Sequence, residues 1–183
     1  MSLTVSIIAK NEAENIRRCL ESVRWADEII VLDSGSTDET VSIAREYTDK
    51  VFETDWQGFG MQKQRALDLA TSNWVLNLDA DEFLSPQLRT VIMQAIDNNQ
   101  ADGYKIPIQM YFYGQPLKYC MSPKRHVRLF RRSGAKFSND IVHEKIILPK
   151  GSKILQITTP ILHNSYSDVS HALSKINFYS SYS

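Results

Sequence analysis

Hydrophobic positions in the first hundred residues follow two alternating periods. Leu3–Ala9, Glu28–Asp33 and Trp74–Asp79 are apolar runs of strand length, and Val51-Phe52-Glu53 is a shorter one. Between them, Glu12–Val23 sets Ile16, Leu20 and Val23 at helical spacing. Ser36-Thr37-Asp38-Glu39 has the form of a capping box ahead of Val41, Ile43 and Ala44. Gly60–Ala70 reads as a third helix, and Pro86 opens a fourth through Ile96, because proline suits the first helical turn. This alternation predicts an α/β fold, Rossmann-like, with a mostly parallel sheet and helices on both faces. The pattern then changes. Gly103–Tyr113, Val127–Arg131, Ile141–Leu148 and Lys153–His163 read as strands, and Asp168–Tyr182 reads as a helix, so the C-terminal half is of mixed strands.

No repeat, low-complexity tract or linker divides the chain, and its 183 residues suit a single domain, 1–183, with its own core. With 43% hydrophobic and 23% charged residues the composition is that of a soluble globular protein. Cys19 and Cys120 make no disulfide framework, which favours a reduced, cytoplasmic setting. No apolar run approaches the ~20 residues of a membrane helix, and the N-terminus lacks the basic and apolar regions of a signal peptide. The net charge of zero conceals an asymmetry. Residues 1–100 hold 9 basic and 17 acidic residues, a net of −8, and residues 101–183 hold 12 and 4, a net of +8. That division fits an acidic, metal-binding half and a basic, phosphate-facing half; solvated faces would produce it too. Aromatics do not interleave the basic run as they do in single-strand nucleic-acid binders, so no nucleic acid is expected as a partner.

In parallel α/β sheets, ligands sit beyond the carboxyl ends of the strands. Three such ends carry polar clusters: Lys10-Asn11-Glu12, Asp33-Ser34-Gly35-Ser36 and Asp79-Ala80-Asp81-Glu82. On an extended chain residues i and i+2 share a side, so Asp79 and Asp81 could hold one hard cation, Mg²⁺ or Mn²⁺. Helix capping by acidic residues ahead of Pro86 is the plainer alternative. Asp33 could accept hydrogen bonds from a base or ribose, while Ser36 is expected to cap the following helix. No G-x-G-x-x-G follows the first strand and no P-loop motif occurs, which disfavours a dinucleotide site and excludes a P-loop NTPase. Arg128 and Arg131, in the run Lys124–Arg132, could neutralise a diphosphate or contact an anionic acceptor; an exposed edge strand guarded by charge is the alternative. Glu144, a carboxylate in an apolar stretch, needs a partner or a job. His143 and His163 sit near strand ends, where structural histidines are common. Cys19 belongs to a core stripe, and Trp56, in a loop, could stack on a ligand.

Three blocks, Ser6-Ile7-Ile8-Ala9-Lys10-Asn11-Glu12, Val31-Leu32-Asp33-Ser34-Gly35-Ser36-Thr37-Asp38 and Leu78-Asp79-Ala80-Asp81-Glu82, occur in an order and spacing that resembles the family-2 glycosyltransferases of GT-A fold. Arg128-Leu129-Phe130-Arg131, Val142-His143-Glu144 and His163-Asn164-Ser165-Tyr166 make the second half similar to the lipopolysaccharide-core β-1,4-glucosyltransferase branch of that family. The resemblance implies that residues 1–100 bind the nucleotide sugar and 101–183 the acceptor. Ala9, Glu12 and Asp33 match positions that hold uracil and ribose. Asp79 and Asp81 match the pair that reaches the ribose and the metal, with His163 as a third metal ligand. Lys63 and Arg65 fall near a basic donor-site position. No Glu-Asp pair follows residue 101; His143-Glu144 stands where the family's base is found, so Glu144 is the expected base and Asp140 the alternative.

The implied reaction is inverting and metal-dependent. Glu144 deprotonates an acceptor hydroxyl while Mg²⁺ or Mn²⁺, with Arg128 or Arg131, stabilises the departing nucleoside diphosphate. The donor would be a UDP-sugar, and the acceptor a glycan or glycolipid of lipopolysaccharide core or another envelope glycan. The protein would then be cytoplasmic, with the +8 half leaning on the inner-leaflet membrane surface. Relatives tend to continue beyond the segment matching 168–183, so an end at Ser183 fits either a short member of the branch or a chain without part of the acceptor site. Two other readings stay open: a nucleotide-sugar-binding protein without transferase activity, and a nucleotidyltransferase. The second would need a glycine-rich basic loop after the first strand, and Lys10-Asn11-Glu12 has no glycine.

Overall fold

The computed structural model describes residues 1–112, 115–117, 125–140 and 144–166. In chain order these form β1 (Leu3–Ala9), α1 (Ala13–Val23), β2 (Glu28–Asp33), α2 (Thr40–Arg45), β3 (Val51–Glu53), α3 (Phe59–Leu69), β4 (Trp74–Asp79), β5 (Glu82–Phe83), α4 (Pro86–Asn98), β6 (Gly103–Phe112), β7 (Gln115–Pro116), β8 (Arg125–Arg131), β9 (Lys136–Phe137), β10 (Ile146–Ile147), β11 (Ile154–Gln156) and β12 (Ile161–Tyr166). The main sheet runs β3-β2-β1-β4-β8-β6-β12-β5. Its first four strands are parallel, as a β-α-β alternation requires. β8 joins antiparallel to β4, β6 antiparallel to β8, and β11 and β12 run parallel to β6. β9 and β10 form a separate two-stranded piece.

Strand alternation divides the core between the two faces. Leu3, Val5, Ile7 and Ala9 of β1 and Trp74, Leu76 and Leu78 of β4 pack against Ile16, Leu20 and Val23 of α1 and Leu88, Ile92 and Ile96 of α4. Ile30, Val75 and Phe130 face the other way, onto Leu67 and Ala70 at the end of α3 and onto Ala135 and Phe137. The helices therefore do lie on both faces. Ser85 caps α4 by accepting from the Leu88 N–H at 3.2 Å, and Pro86 occupies its first turn.

Three sequence expectations change. Ser36 does not cap α2; the helix begins at Thr40, and the Ser36 hydroxyl donates to Asp33 while accepting from the Asn11 N–H. Asp38 takes the local role instead, accepting from the N–H groups of Thr40 and Ala13 at 3.0 and 3.1 Å. The run Lys153–His163 is two strands, β11 and β12, because Pro160 has no N–H for a ladder. Only Ile146–Ile147 of the run Ile141–Leu148 is strand; residues 141–143 and the expected helix at 168–182 lie outside the described residues.

Beneath the parallel strands Glu28 is buried. Its carboxylate takes hydrogen bonds from Thr4 Oγ1, from the Thr71 N–H at 2.8 Å and from Thr71 Oγ1 at 2.9 Å, and it pairs with Lys50. Burial pushes its pKa up, but Lys50, Thr4 and Thr71 outweigh that and bring it down to about 2 from 4.5. A carboxyl lowered in the folded state stabilises above its unfolded pKa and loses that contribution as pH falls towards the folded value. The wild-type melting temperature should therefore drop as pH is lowered from 4.5 towards 2. Glu28→Ala should cost about 3 kcal/mol at neutral pH and flatten that slope. Thermal melts across this range check both; an unchanged slope in the variant would refute the assignment.

α3 approaches the segment before β10 so closely that only glycine fits. The Gly60 N–H donates to the Asp140 carbonyl at 3.2 Å, and a β-carbon on Gly60 would stand 2.1 Å from the Ser138 carbonyl oxygen. Gly60→Ala should lower stability by about 2 kcal/mol in urea melts.

Candidate active site

The parallel register aligns the strand ends. Ala9 pairs with Asp33 and Ile8 with Asp79, so the carboxyl ends of β1, β2 and β4 open onto one ledge. On the β1–β2 side the turns brace one another. Buried Asp33 accepts from the N–H groups of Gly35 and Ser36 at 2.9 and 2.8 Å, and the Ser34 N–H donates to the Ala9 carbonyl at 2.9 Å. Asn11 takes a left-handed φ of 54°, and its Oδ1 accepts from the Thr37 N–H at 2.8 Å. Asparagine tolerates that conformation better than most residues. The Glu12 N–H donates to Thr40 Oγ1 at 2.8 Å, and the Glu12 carboxylate accepts from Asn15 Nδ2 at 2.9 Å. Fully buried Gln62 donates from Nε2 to Ser34 Oγ and to the Asp55 carbonyl, both at 2.8 Å.

On the β4 side lies a buried charge cluster. Asn77 and Asp79 alternate with Trp74, Leu76 and Leu78 and so face α3. The inward stripe of α3 is Gly60, Lys63, Ala66 and Leu67, which brings a lysine over Asp79. Lys63 Nζ lies 2.9 Å from Asp79 Oδ1 and 2.6 Å from Glu144 Oε1, with its side chain only 4% exposed. The Arg128 guanidinium completes the set, 3.2 Å from Asp79 Oδ2 and 2.8 Å from Glu82 Oε1. Glu82 also accepts from the Asp79 N–H at 2.9 Å. Burial alone would raise the Asp79 pKa, yet Lys63 and Arg128 hold it far below the carboxylate range. Burial likewise would depress Lys63, but Asp79 and Glu144 keep it raised against Arg128. Glu82 is raised, by burial first and by Asp79. Buried Arg128 Nε has no hydrogen-bond partner among the described residues.

Asp81 faces elsewhere. Ala80-Asp81 is a turn between β4 and β5, so the i, i+2 rule for extended chain does not hold there. Asp79 turns to Lys63 and Arg128, whereas Asp81 Oδ2 lies 3.0 Å from His163 Nε2. β12 fixes that meeting: His163 pairs with Glu82 across the β5–β12 ladder, and the Asn164 N–H donates to the Asp81 carbonyl at 3.0 Å. Burial pushes the His163 pKa down, but Asp81, Glu82 and Asp79 more than reverse it. Among the described residues no group of three or more His, Cys, Asp or Glu side chains could enclose a metal. A carboxylate oxygen and an imidazole nitrogen 3.0 Å apart nevertheless fit two ligands of an open divalent site. Mg²⁺ in particular takes one or two protein ligands and fills the rest with phosphate oxygens and water.

Of the other sequence candidates, Glu144 joins the cluster and Asp140 does not; the Asp140 carboxylate accepts from Ser138 Oγ at 2.7 Å. Arg65 sits at the rim, 2.9 Å from Asp55, and contacts Thr54 and Gln62. Arg131 departs from expectation. It pairs with Asp102 and Asn99 and lies over the Trp74 ring, at the opposite end of β4 from Asp79. Three positions apart on one strand, Arg128 and Arg131 must also point to opposite faces. Sequence reasoning assigned no role to Glu82, Gln62 or Asn164. A lysine on the apolar stripe of α3 was the available signal for its pairing, because a buried ammonium requires a counter-charge.

A family model described as glycosyl transferase family 2 matches residues 4–150. An uncharacterized glycosyltransferase of Rickettsia felis is 33% identical over 191 residues, covering 98% of this chain and 68% of that protein. The lipopolysaccharide core biosynthesis glycosyltransferase LpsC of Rhizobium meliloti is 31% identical over 175 residues, covering 89% and 63%. The chain thus spans about two thirds of the length of such relatives. Among solved structures, S. aureus TarS 1–349 in complex with UDP-GlcNAc superposes with a TM-score of 0.67 at 17% identity, over 94% of this chain and 61% of that one. Glucosyl-3-phosphoglycerate synthase from Mycobacterium tuberculosis, in complex with Mg²⁺ and uridine-diphosphate, gives 0.60 at 16%, over 96% and 74%. These structures share the fold, and the family model and the sequence relatives supply the assignment: the chain has a GT-A fold and belongs to glycosyl transferase family 2.

Proposed function

We propose that the chain is the donor-binding and catalytic part of an inverting glycosyltransferase that moves a sugar from a UDP-sugar to a saccharide acceptor of a cell-envelope glycan such as lipopolysaccharide core. One observation carries this reading. Glu144 and Asp79 flank a single buried ammonium at the end of the strand that leads into Asp81. The complexes of TarS with UDP-GlcNAc and of the mycobacterial synthase with Mg²⁺ and uridine-diphosphate support the donor class, and the name of LpsC supports the acceptor class.

Each part of the ledge has work to do in such a transfer. The braced turns at Ala9, Glu12 and Asp33 receive the nucleoside. The Arg128 guanidinium, whose buried Nε–H has no partner among the described residues, offers positive charge to the diphosphate. Asp81 and His163 would hold Mg²⁺ or Mn²⁺, which when bound supplies Lewis-acid stabilisation of the leaving diphosphate. Glu144 takes the proton from the acceptor hydroxyl as its oxygen bonds to the anomeric carbon and the bond to the diphosphate breaks. Lys63 holds that carboxylate in place and masks the Asp79 charge from the incoming phosphates.

Among the described residues no helix is long and apolar enough to cross a membrane. The basic half, +8 over residues 101–183, would meet an anionic inner leaflet electrostatically. Binding to phosphatidylglycerol vesicles should then fall steeply with salt; salt-insensitive binding would overturn that part.

Calorimetric titration of UDP with and without Mn²⁺ tests the donor site. Mn²⁺ should strengthen binding in the wild type, and Asp81→Ala should abolish the Mn²⁺ effect and lower turnover at least ~10²–10³-fold. Glu144→Gln should retain UDP affinity within about twofold while turnover falls by ~10²–10⁴. Near-normal turnover in either variant would remove the role assigned to that residue.

A further inference from the structure

A chain of amide hydrogen bonds crosses the molecule between the two ends of the ledge. Asn164 Nδ2 donates to Asn15 Oδ1 at 3.0 Å, and Asn15 Nδ2 donates to Glu12 Oε2 at 2.9 Å. Asn15 is 8% exposed on the inner face of α1. Asn164 follows His163 on β12, and its backbone N–H holds the Asp81 carbonyl at 3.0 Å. One residue therefore grips the turn that carries Asp81 through its backbone and the start of α1, at Glu12, through its side chain. The polarity runs in one direction only. Each amide donates towards Glu12, whose carboxylate can only accept.

We infer that Asn164 is a positioning residue that sets the distance between the nucleoside end and the metal end of the donor site. This deepens the UDP-sugar reading and rests on it. UDP has two linked recognition elements, the uridine and the metal-bound diphosphate. When both subsites are held at the spacing of the ligand, the second contact forms intramolecularly, at high effective concentration. Without the link each subsite keeps its own affinity and the gain from joining them is lost.

The test compares uridine with UDP in saturating Mn²⁺. Asn164→Ala removes the side-chain amide, leaves the Asn15 bond to Glu12 in place and keeps the backbone N–H to Asp81. Asn164→Ser is the second variant; it shortens the side chain and keeps the backbone N–H to Asp81. The expected result is a loss of about tenfold or more in UDP affinity, with uridine affinity within about twofold of wild type. Equal losses for uridine and UDP would mean a merely structural amide, and an unchanged UDP affinity would mean no role; either overturns the inference. If the wild type itself shows no Mn²⁺-strengthened UDP binding, the donor reading fails and this inference fails with it.

Discussion

Burying three charged side chains around a half-buried aspartate at one strand end is the constraint around which the rest of the molecule is arranged. Lys63, Arg128 and Glu82 are less than a tenth exposed, and Asp79 lies between them. An ion taken out of water costs several kcal/mol unless a partner meets it with good geometry. Every element near the cluster is placed by that demand. α3 must carry Lys63 over Asp79, β8 must bring Arg128 level with Asn77 and Asp79, and the chain before β10 must deliver Glu144 to the ammonium. Gly60 is part of the same requirement, since any β-carbon would push α3 off the 138–140 segment.

Net stability does not come from these pairs. Buried ion pairs roughly break even against apolar residues of the same volume, although breaking one is costly. The favourable term is the apolar contact beside them, where Val75 and Leu76 of β4 pair with Phe130 and Leu129 of β8 over fully buried ground. The cluster supplies specificity of position. It leaves Asp79 neutralised within the protein and Asp81 turned towards β12, so that two aspartates two residues apart take different partners.

The parallel half was legible because its cues are local. Apolar runs of strand length, helical stripes and Pro86 mark the elements, and the polar clusters at three strand ends mark the ledge. The departures have equally local causes. Extended-chain spacing does not carry from Asp79 to Asp81, because Ala80-Asp81 turns. The four-residue capping pattern at Ser36 is overridden by Asp33 and Asn11, which use its hydroxyl, the latter 25 positions away. Arg128 and Arg131 share a run of basic residues, yet a period of two sends them to opposite faces. Lys63 with Glu144 and Asn164 with Asn15 are 81 and 149 positions apart, and periodicity carries no information at that range.

The two halves of opposed charge meet at the same place. Four ion pairs at the ledge join residues 1–100 to residues 101–166, Asp79 and Glu82 to Arg128, Asp81 to His163 and Lys63 to Glu144, while the Lys63–Asp79 pair lies within the first half. The amide chain from Asn164 to Asn15 makes the same crossing. The seam and the site are therefore one structure. The second half cannot dock without supplying the cations and the carboxylate that the strand ends lack, and those strand ends alone would hold Asp79, Glu82 and Lys63 only partly paired. The first half carries carboxylates at its strand ends, and the half that closes over it brings a guanidinium and an imidazole to the same point.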